Sequence, residues 1–288
     1  MNKSPILTFE NKANFKSKHL KRNLYGDKAY EAWHTFYYLE QCYDYDTKKL
    51  KQLNKKNYNL IRIKYIILLI IIKSLRVKKF AELGSTIFET IKGLNFLQNI
   101  IKINLNLKNI FFTGVEKSKI FNYISKIINK GYKINHIKLN NLKKIDLLCD
   151  RQVAPYAFKD ENQLIKNYNK CRVIFANLPI YIKSNKNFKD SIGVTFGGKY
   201  TLFDIKKLRF NNKKIYYLFG RKSPNAKSVV FKKKFYTRRL DGFFLICNEK
   251  DFKKIFEEFL KKKYKRFLNF DPKKICQLED LKENQFYK

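Results

Sequence analysis

Four polar residues in this 288-residue chain stand where an apolar run stops. Glu82, followed by Gly84 and Ser85, closes the run that begins at Phe80, and Glu116 follows residues 109–115, NIFFTGV. Asp150 follows residues 145–149, and Asn177 follows residues 172–176. A carboxylate offers acceptors and no donors when ionised, so at a strand end it suits a ligand that presents two vicinal donors. In residues 79–94, KFAELGSTIFETIKGL, the run enters a one-glycine turn and then a helix with Ile87, Phe88, Ile91 and Leu94 on one face. A strand leading directly into a helix N-terminus is where open α/β sheets hold ligands, because the first N–H groups of the helix face outward. Plainer readings stand beside this one. Thr86 and Glu89 fit a capping box, Glu116 precedes a helix whose dipole favours an acid, and Asp150–Arg151 fits a surface ion pair.

Those residues must be positioned by regular elements, and the hydrophobic periods predict which. An aromatic-faced helix over 27–43 carries Trp33 and His34, and a second helix over 57–75 becomes apolar nearly all round. From residue 79 the chain alternates. Strands at 80–83, 109–115, 145–149 and 172–176 are separated by helices at 86–99, 118–129 and 160–169; residues 132–139 read as a third strand or a connection. Such alternation implies parallel βαβ units. A further strand is expected at 191–196, with a turn at Gly197-Gly198 and an extended stretch over 199–204. Residues 214–220 and 242–247 lack an intervening helix, so they read as an antiparallel pair at the sheet edge. Asn248 then caps a last helix with Phe252, Ile255, Phe256, Phe259 and Leu260 buried. The expected organisation is an N-terminal helical appendage (1–75), a Rossmann-like α/β domain (76–270) and a polar tail (271–288).

The net charge of +39 points first to a polyanion such as RNA. Basic and aromatic residues interleave at 231–239, FKKKFYTRR, and at 261–266, KKKYKR, as they would to hold phosphates and stack bases. However, Lys far outnumbers Arg and is spread evenly, which fits a solvated surface shaped by base composition. The 5 cysteines are widely separated and form no metal or disulfide pattern, which fits a reducing, cytoplasmic setting. The first residues, MNKSPILTFENK, contain no apolar signal core, and the apolar run at 65–72 is far shorter than the ~20 residues a spanning helix needs. No zinc-protease, phosphate-loop, serine-hydrolase or dinucleotide motif occurs, and no metal ligands cluster.

The order strand–ELG–turn–helix, a strand ending in GVE, a strand ending in Asp, then one ending in Asn177-Leu178-Pro179, resembles the class I S-adenosylmethionine-dependent methyltransferases. The nearest group is the sugar or small-molecule methyltransferases, and the resemblance covers residues 75 to 250. It implies a Rossmann-like methyltransferase fold: a mostly parallel sheet with an antiparallel edge pair, plus N-terminal helices. It further implies S-adenosylmethionine as cofactor. Glu82, Gly84 and Ser85 would lie beside its methionine portion, Glu116 would accept from the ribose hydroxyls, Asp150 would lie near the adenine amine, and Asn177 would face the transferred methyl. The turn holds one glycine where the family usually has two or three. The step from Gly84 to Glu116 also exceeds the ~20 residues usual between a glycine turn and its ribose acid. The implied reaction is methyl transfer to a small-molecule or sugar hydroxyl, with Asp150 or His136 as base, or His34 if the N-terminal helices fold over the cleft. The alternatives are an RNA-binding or RNA-modifying protein, and a non-catalytic domain of the same fold.

Overall fold

The computed structural model describes residues 55–280 apart from 87, 117–120, 123–124, 127–128, 152, 183–191, 196–197, 202, 205–206, 221–228, 232–234 and 269. Ahead of them it describes one short antiparallel pair, Tyr43–Asp44 with Lys49–Leu50. The expected helix at 27–43, with Trp33 and His34, lies outside the described residues.

Helix α1, Lys55–Leu75, carries the run from Ile66 to Ile71, in which every side chain is fully buried. A helix apolar on all sides must be covered on all sides. Strand β1 (Lys79–Leu83) leads to α2 (Glu89–Ile100), then β2 (Phe111–Val115), β3 (Lys133–Ile137) and β4 (Ile145–Arg151). After these come α3 (Glu161–Tyr168), β5 (Cys171–Ile182), β6 (Lys214–Gly220), β7 (Phe235–Cys247), α4 (Glu249–Leu260) and the short β8 (Cys276–Gln277). Across the sheet the order is β8-β6-β7-β5-β4-β1-β2-β3. Strands β1 to β5 are mutually parallel, whereas β7 runs antiparallel to both β5 and β6. This is a Rossmann-like sheet, mostly parallel with antiparallel strands towards one edge, as expected.

Alternation along each strand divides the core in two. Phe80, Phe112, Leu147, Val173, Phe175 and Leu245 pack with α1, α2 and α4 on one face. Ala81, Leu83, Leu148, Ile174, Ala176 and Phe244 pack with α3 and the short helix Ala154–Ala157 on the other. The period of two that makes a strand two-faced thus yields three layers.

Several boundaries differ from expectation. The helix after β1 begins at Glu89 rather than 86, because Thr86 and Phe88 sit at φ +48° and +57°, outside the helical region. Its N-cap is Phe88, with no side-chain cap, so the capping box at Thr86 does not form. Residues 107–109 turn as a 3-10 helix and shorten the next strand. The uncertain stretch at 132–139 contains a true strand, whose pairing with β2 closes that edge. Residues Ile192–Thr195 do not extend the main sheet but pair antiparallel with Gly198–Thr201 in a sheet of their own. The last helix begins as read: Asn248 accepts from the Asp251 N–H at 2.8 Å. Helix α1 shares the core of the sheet, and β8, within the stretch read as a polar tail, pairs with β6.

Candidate binding site at the carboxyl edge of the sheet

The predicted residues gather where β1, β2, β4 and β5 end. Register aligns Leu83 with Val115 and Asp150, and Arg151 with Asn177, so Gly84, Glu116, Asp150 and Asn177 all lie along one edge. One row inward, Glu82, Gly114 and His136 are cross-strand neighbours on the face covered by α1 and α2.

The turn after β1 is tightly held. Gly84 lies at φ +59°, and a Cβ built there would fall 2.5 Å from Val153 Cγ2. Both constraints demand glycine. The Gly84 N–H donates to the Val115 carbonyl at 2.9 Å, the Thr86 N–H donates to Glu116 Oε2 at 3.1 Å, and the Phe88 N–H donates to the Ser85 carbonyl at 2.7 Å. Hence three of the N–H groups expected to face a ligand are engaged within the turn, one of them by Glu116 itself.

The side chains here are less well satisfied. Among the described residues the buried Ser85 and Thr86 hydroxyls find no hydrogen-bond partner, nor do the inaccessible His136 Nδ1 and Asn177 Oδ1. Buried polar atoms are nearly always paired, so four unmatched ones at or just inside this edge mark it as polar ground a ligand could satisfy. Gly114 leaves room between two of them, since a Cβ there would stand 2.5 Å from Ser85 Oγ and 2.7 Å from His136 Cδ2. The Ser125 hydroxyl donates to the Asn122 carbonyl at 2.9 Å and lies 3.0 Å from His136 Nε2. With its one hydrogen spent, Ser125 accepts, so Nε2 carries the ring proton and Nδ1 is bare. Burial, with Lys126 adding repulsion, lowers the His136 pKa to about 4.

Glu82 is fully buried; it accepts from Thr90 Oγ1 at 2.9 Å and pairs with Lys64 of α1 at 3.6 Å. Lys64 and Thr90 were not anticipated from the sequence. The available signal was Lys64 itself, a cation at the mouth of an apolar helical run, which needs a buried acid.

Asp150 points to the opposite face. Its carboxylate accepts from the Val153 N–H at 2.8 Å, from the Ala154 N–H and from the Tyr168 hydroxyl. Burial raises its pKa to about 6, against the opposing pull of those hydrogen bonds. Val153 in turn packs on Gly84, so Asp150 bears on the turn through Val153. With strands roughly 4.8 Å apart, His136 on β3 stands roughly 19 Å from Asn177 on β5, and Asp150 lies between them on the other face. Glu82, Ser85, Glu116 and His136 are therefore brought together, while His136, Asp150 and Asn177 do not converge on one atom.

Elsewhere, Tyr264 of the basic run at 261–266 is fully buried, and the Arg266 guanidinium lies over the Phe267 ring, so these aromatics serve the fold. Among the described residues no group of His, Cys, Asp and Glu could hold a metal ion, and no helix is long and apolar enough to cross a membrane.

No protein-family model matches the chain, and no curated protein matches it in sequence. Among solved structures it is similar to the N-terminal domain of EvdMO1 in the presence of SAH and D-fucose, at 8% identity and a TM-score of 0.44 over 70% of this chain and 86% of that one. It is also similar to an S-adenosylmethionine-dependent methyltransferase from Clostridium acetobutylicum, at 12% identity and a TM-score of 0.38 over 77% and 99% of the two chains.

Proposed function

We propose that this chain binds S-adenosylmethionine at the carboxyl edge of its sheet and transfers the methyl group to a small-molecule or sugar hydroxyl. The observation that carries the proposal is the set of unmatched buried atoms, Ser85 Oγ, Thr86 Oγ1, His136 Nδ1 and Asn177 Oδ1, along the edge where a sheet of this order receives ligands. Donors and acceptors are mixed, as an amino acid joined to a nucleoside requires. Ser85 and Thr86 would meet the amino-acid portion, with Glu82 behind them held by Lys64. Glu116, a carboxylate at the end of β2, would take the ribose hydroxyls. His136, beside the strand that bears Glu116, belongs to that end of the ligand, and Asn177 to the far end.

When bound, the cofactor supplies an electrophilic methyl carbon on a sulfonium centre. The protein's task is then to align an acceptor oxygen and keep water out. Asp150 acts as a positioning residue: it fixes the loop whose Val153 packs on Gly84. His136 is roughly 19 Å from Asn177, too far to take a proton there. Transfer accordingly rests on alignment, and the proton that the acceptor hydroxyl gives up as the methyl–sulfur bond breaks passes to solvent rather than to either residue. The RNA reading loses support at 261–266, where Tyr264 is unavailable for stacking.

Calorimetric titration with S-adenosylmethionine and its demethylated product tests the proposal. Micromolar binding is expected, and Glu116→Ala should weaken it at least about tenfold, the value of one charge-assisted hydrogen bond, while the far-ultraviolet spectrum stays unchanged. Absence of binding by folded parent protein would refute it.

A further inference from the structure

At the opposite, amino edge of the sheet lies a concavity. It is an open hollow of about 390 Å³ lined by Lys144, Lys170, Arg172 and Lys213, with Asp146 as the one carboxylate in its wall. Its construction follows from topology. Lys144, Lys170 and Lys213 each stand one residue ahead of a strand, β4, β5 and β6 respectively, and these strands all begin at this edge. Residues 145–151 of β4 separate the hollow from the site described above by roughly 20 Å at 3.3 Å per residue.

The charges in the wall are unevenly answered. Asp146 Oδ2 already accepts from the main-chain N–H groups of Lys78 and Lys79, each at 2.9 Å. Arg172 is held rigid by a two-pronged bond to Asp251, Nε to Oδ2 at 2.8 Å and Nη2 to Oδ1 at 2.6 Å. That leaves three of its five N–H donors for other use. Among the described residues Lys213 meets no carboxylate; its ammonium reaches the carbonyl and side-chain oxygens of Asn169, each at the long limit of 3.5 Å. Burial accordingly lowers the Lys213 pKa. Asn169 Oδ1 also accepts from the Asn211 N–H at 3.2 Å, which stitches the two connections that carry Lys170 and Lys213. Lys144 and Asn212, on either side, hold positive φ values of +47° and +53°. The hollow thus sets Arg172 and Lys213, held by hydrogen bonds, beside Lys144 and Lys170, whose ammonium reaches Asn167 Oδ1 at 3.2 Å, and leaves positive charge in excess.

We infer that this amino-edge hollow is a phosphate-binding site, taking a phosphate group through Lys213, Lys170 and Lys144 as point charges and Arg172 as an oriented fork. A tetrahedral, multiply charged oxyanion with acceptors on every side matches ammonium groups arriving from three connections, whereas the polar wall offers nothing to an apolar ring. The site is independent of the carboxyl-edge proposal. The phosphate could belong to a small phosphorylated molecule or to a nucleic-acid strand.

Calorimetric titration of the full chain with inorganic pyrophosphate at constant ionic strength tests the inference. Lys213→Met removes the under-compensated cation, and Lys253→Met on the exposed side of α4 removes the same charge elsewhere. The parent and Lys253→Met should bind alike, with Lys213→Met about tenfold weaker. Equal affinities for all three proteins, or no saturable binding by the parent, would overturn the site in favour of diffuse surface charge. A circular dichroism spectrum of Lys213→Met that matches the parent's guards against loss of fold. A single-stranded RNA oligomer that displaces pyrophosphate at 0.15 M salt from the parent would identify a strand as the source; failure to displace it would identify a small molecule, and the site stands in both cases.

Discussion

Lys64 and Glu82 form an ion pair that water barely reaches, with side-chain exposures of 9% and 0%. Removing one partner of such a pair leaves a buried charge without compensation, whereas removing both can be almost neutral. Lys64→Met should therefore cost about 3 kcal/mol in urea unfolding, and Glu82→Gln added to it should restore most of the loss. Additive losses in the double variant would show that the two groups act independently. Two other residues set opposing responses to acid. The His136 pKa is depressed to about 4, so its contribution is present above its unfolded value near 6.5 and drains away as pH falls towards 4. Asp150 is raised to about 6, so its contribution is present below pH 4 and is lost as pH rises through 6. Between pH 4 and 6.5 the two offset one another. Asp150→Asn removes the second, so its stability should fall more steeply than the parent's from pH 6.5 to 4. Parallel urea midpoints across that range would rule this out.

At the scale of elements, the turn after β1 is where sequence and geometry are most tightly bound. Gly84→Ala places a methyl 2.5 Å from Val153 and holds alanine at φ +59°. The steric part is removable and the backbone part is not. Gly84→Ala should cost more than about 2 kcal/mol, and Val153→Ala should recover the contact term while leaving about 1–2 kcal/mol of left-handed strain. Full recovery in the double variant would count against the strain. The one-glycine turn and the acids that close β2 and β4 were legible because an apolar run that stops at a charge is a strong local signal. Thr86 and Phe88 were not, since neither residue type advertises a positive φ and the packing of Phe88 against Phe80, Phe112 and His136 decides it. The direction of Asp150 could have been read from alternation: Leu148 and Asp150 share a face that Cys149 does not. The pairing of Glu82 with Lys64 joins two elements that no motif connects. The amino-edge hollow was equally hidden, because lysines that precede three separate strands become neighbours only once the sheet is ordered.

For the whole molecule, the apolar helix α1 is as much part of the core as any strand. Its residues from Ile66 to Ile72 share one buried cluster with α2, α4 and the strand side chains of that face. A chain beginning at residue 76 would expose that face, losing on the order of 1.5–3 kcal/mol for each large side chain laid bare, more than the 5–15 kcal/mol by which a domain is stable. It should show no cooperative thermal transition by circular dichroism. A sharp melt near that of the full chain would demonstrate a sheet that folds without α1.

The order of the strands also governs how this protein comes off the ribosome. Strand β7 lies between β5 and β6, so β6 emerges with its neighbour still unmade, and α1 emerges earlier still. Lys73 must wait for Tyr264, 191 residues later, to complete its hydrogen bond. Through that interval the nascent chain carries a greasy helix, and for its last part an unpaired strand as well, the two features that most invite self-association. Loop closure over such separations is slow. Until α4 and the last strands are in place, the chain is therefore most prone to self-association through α1.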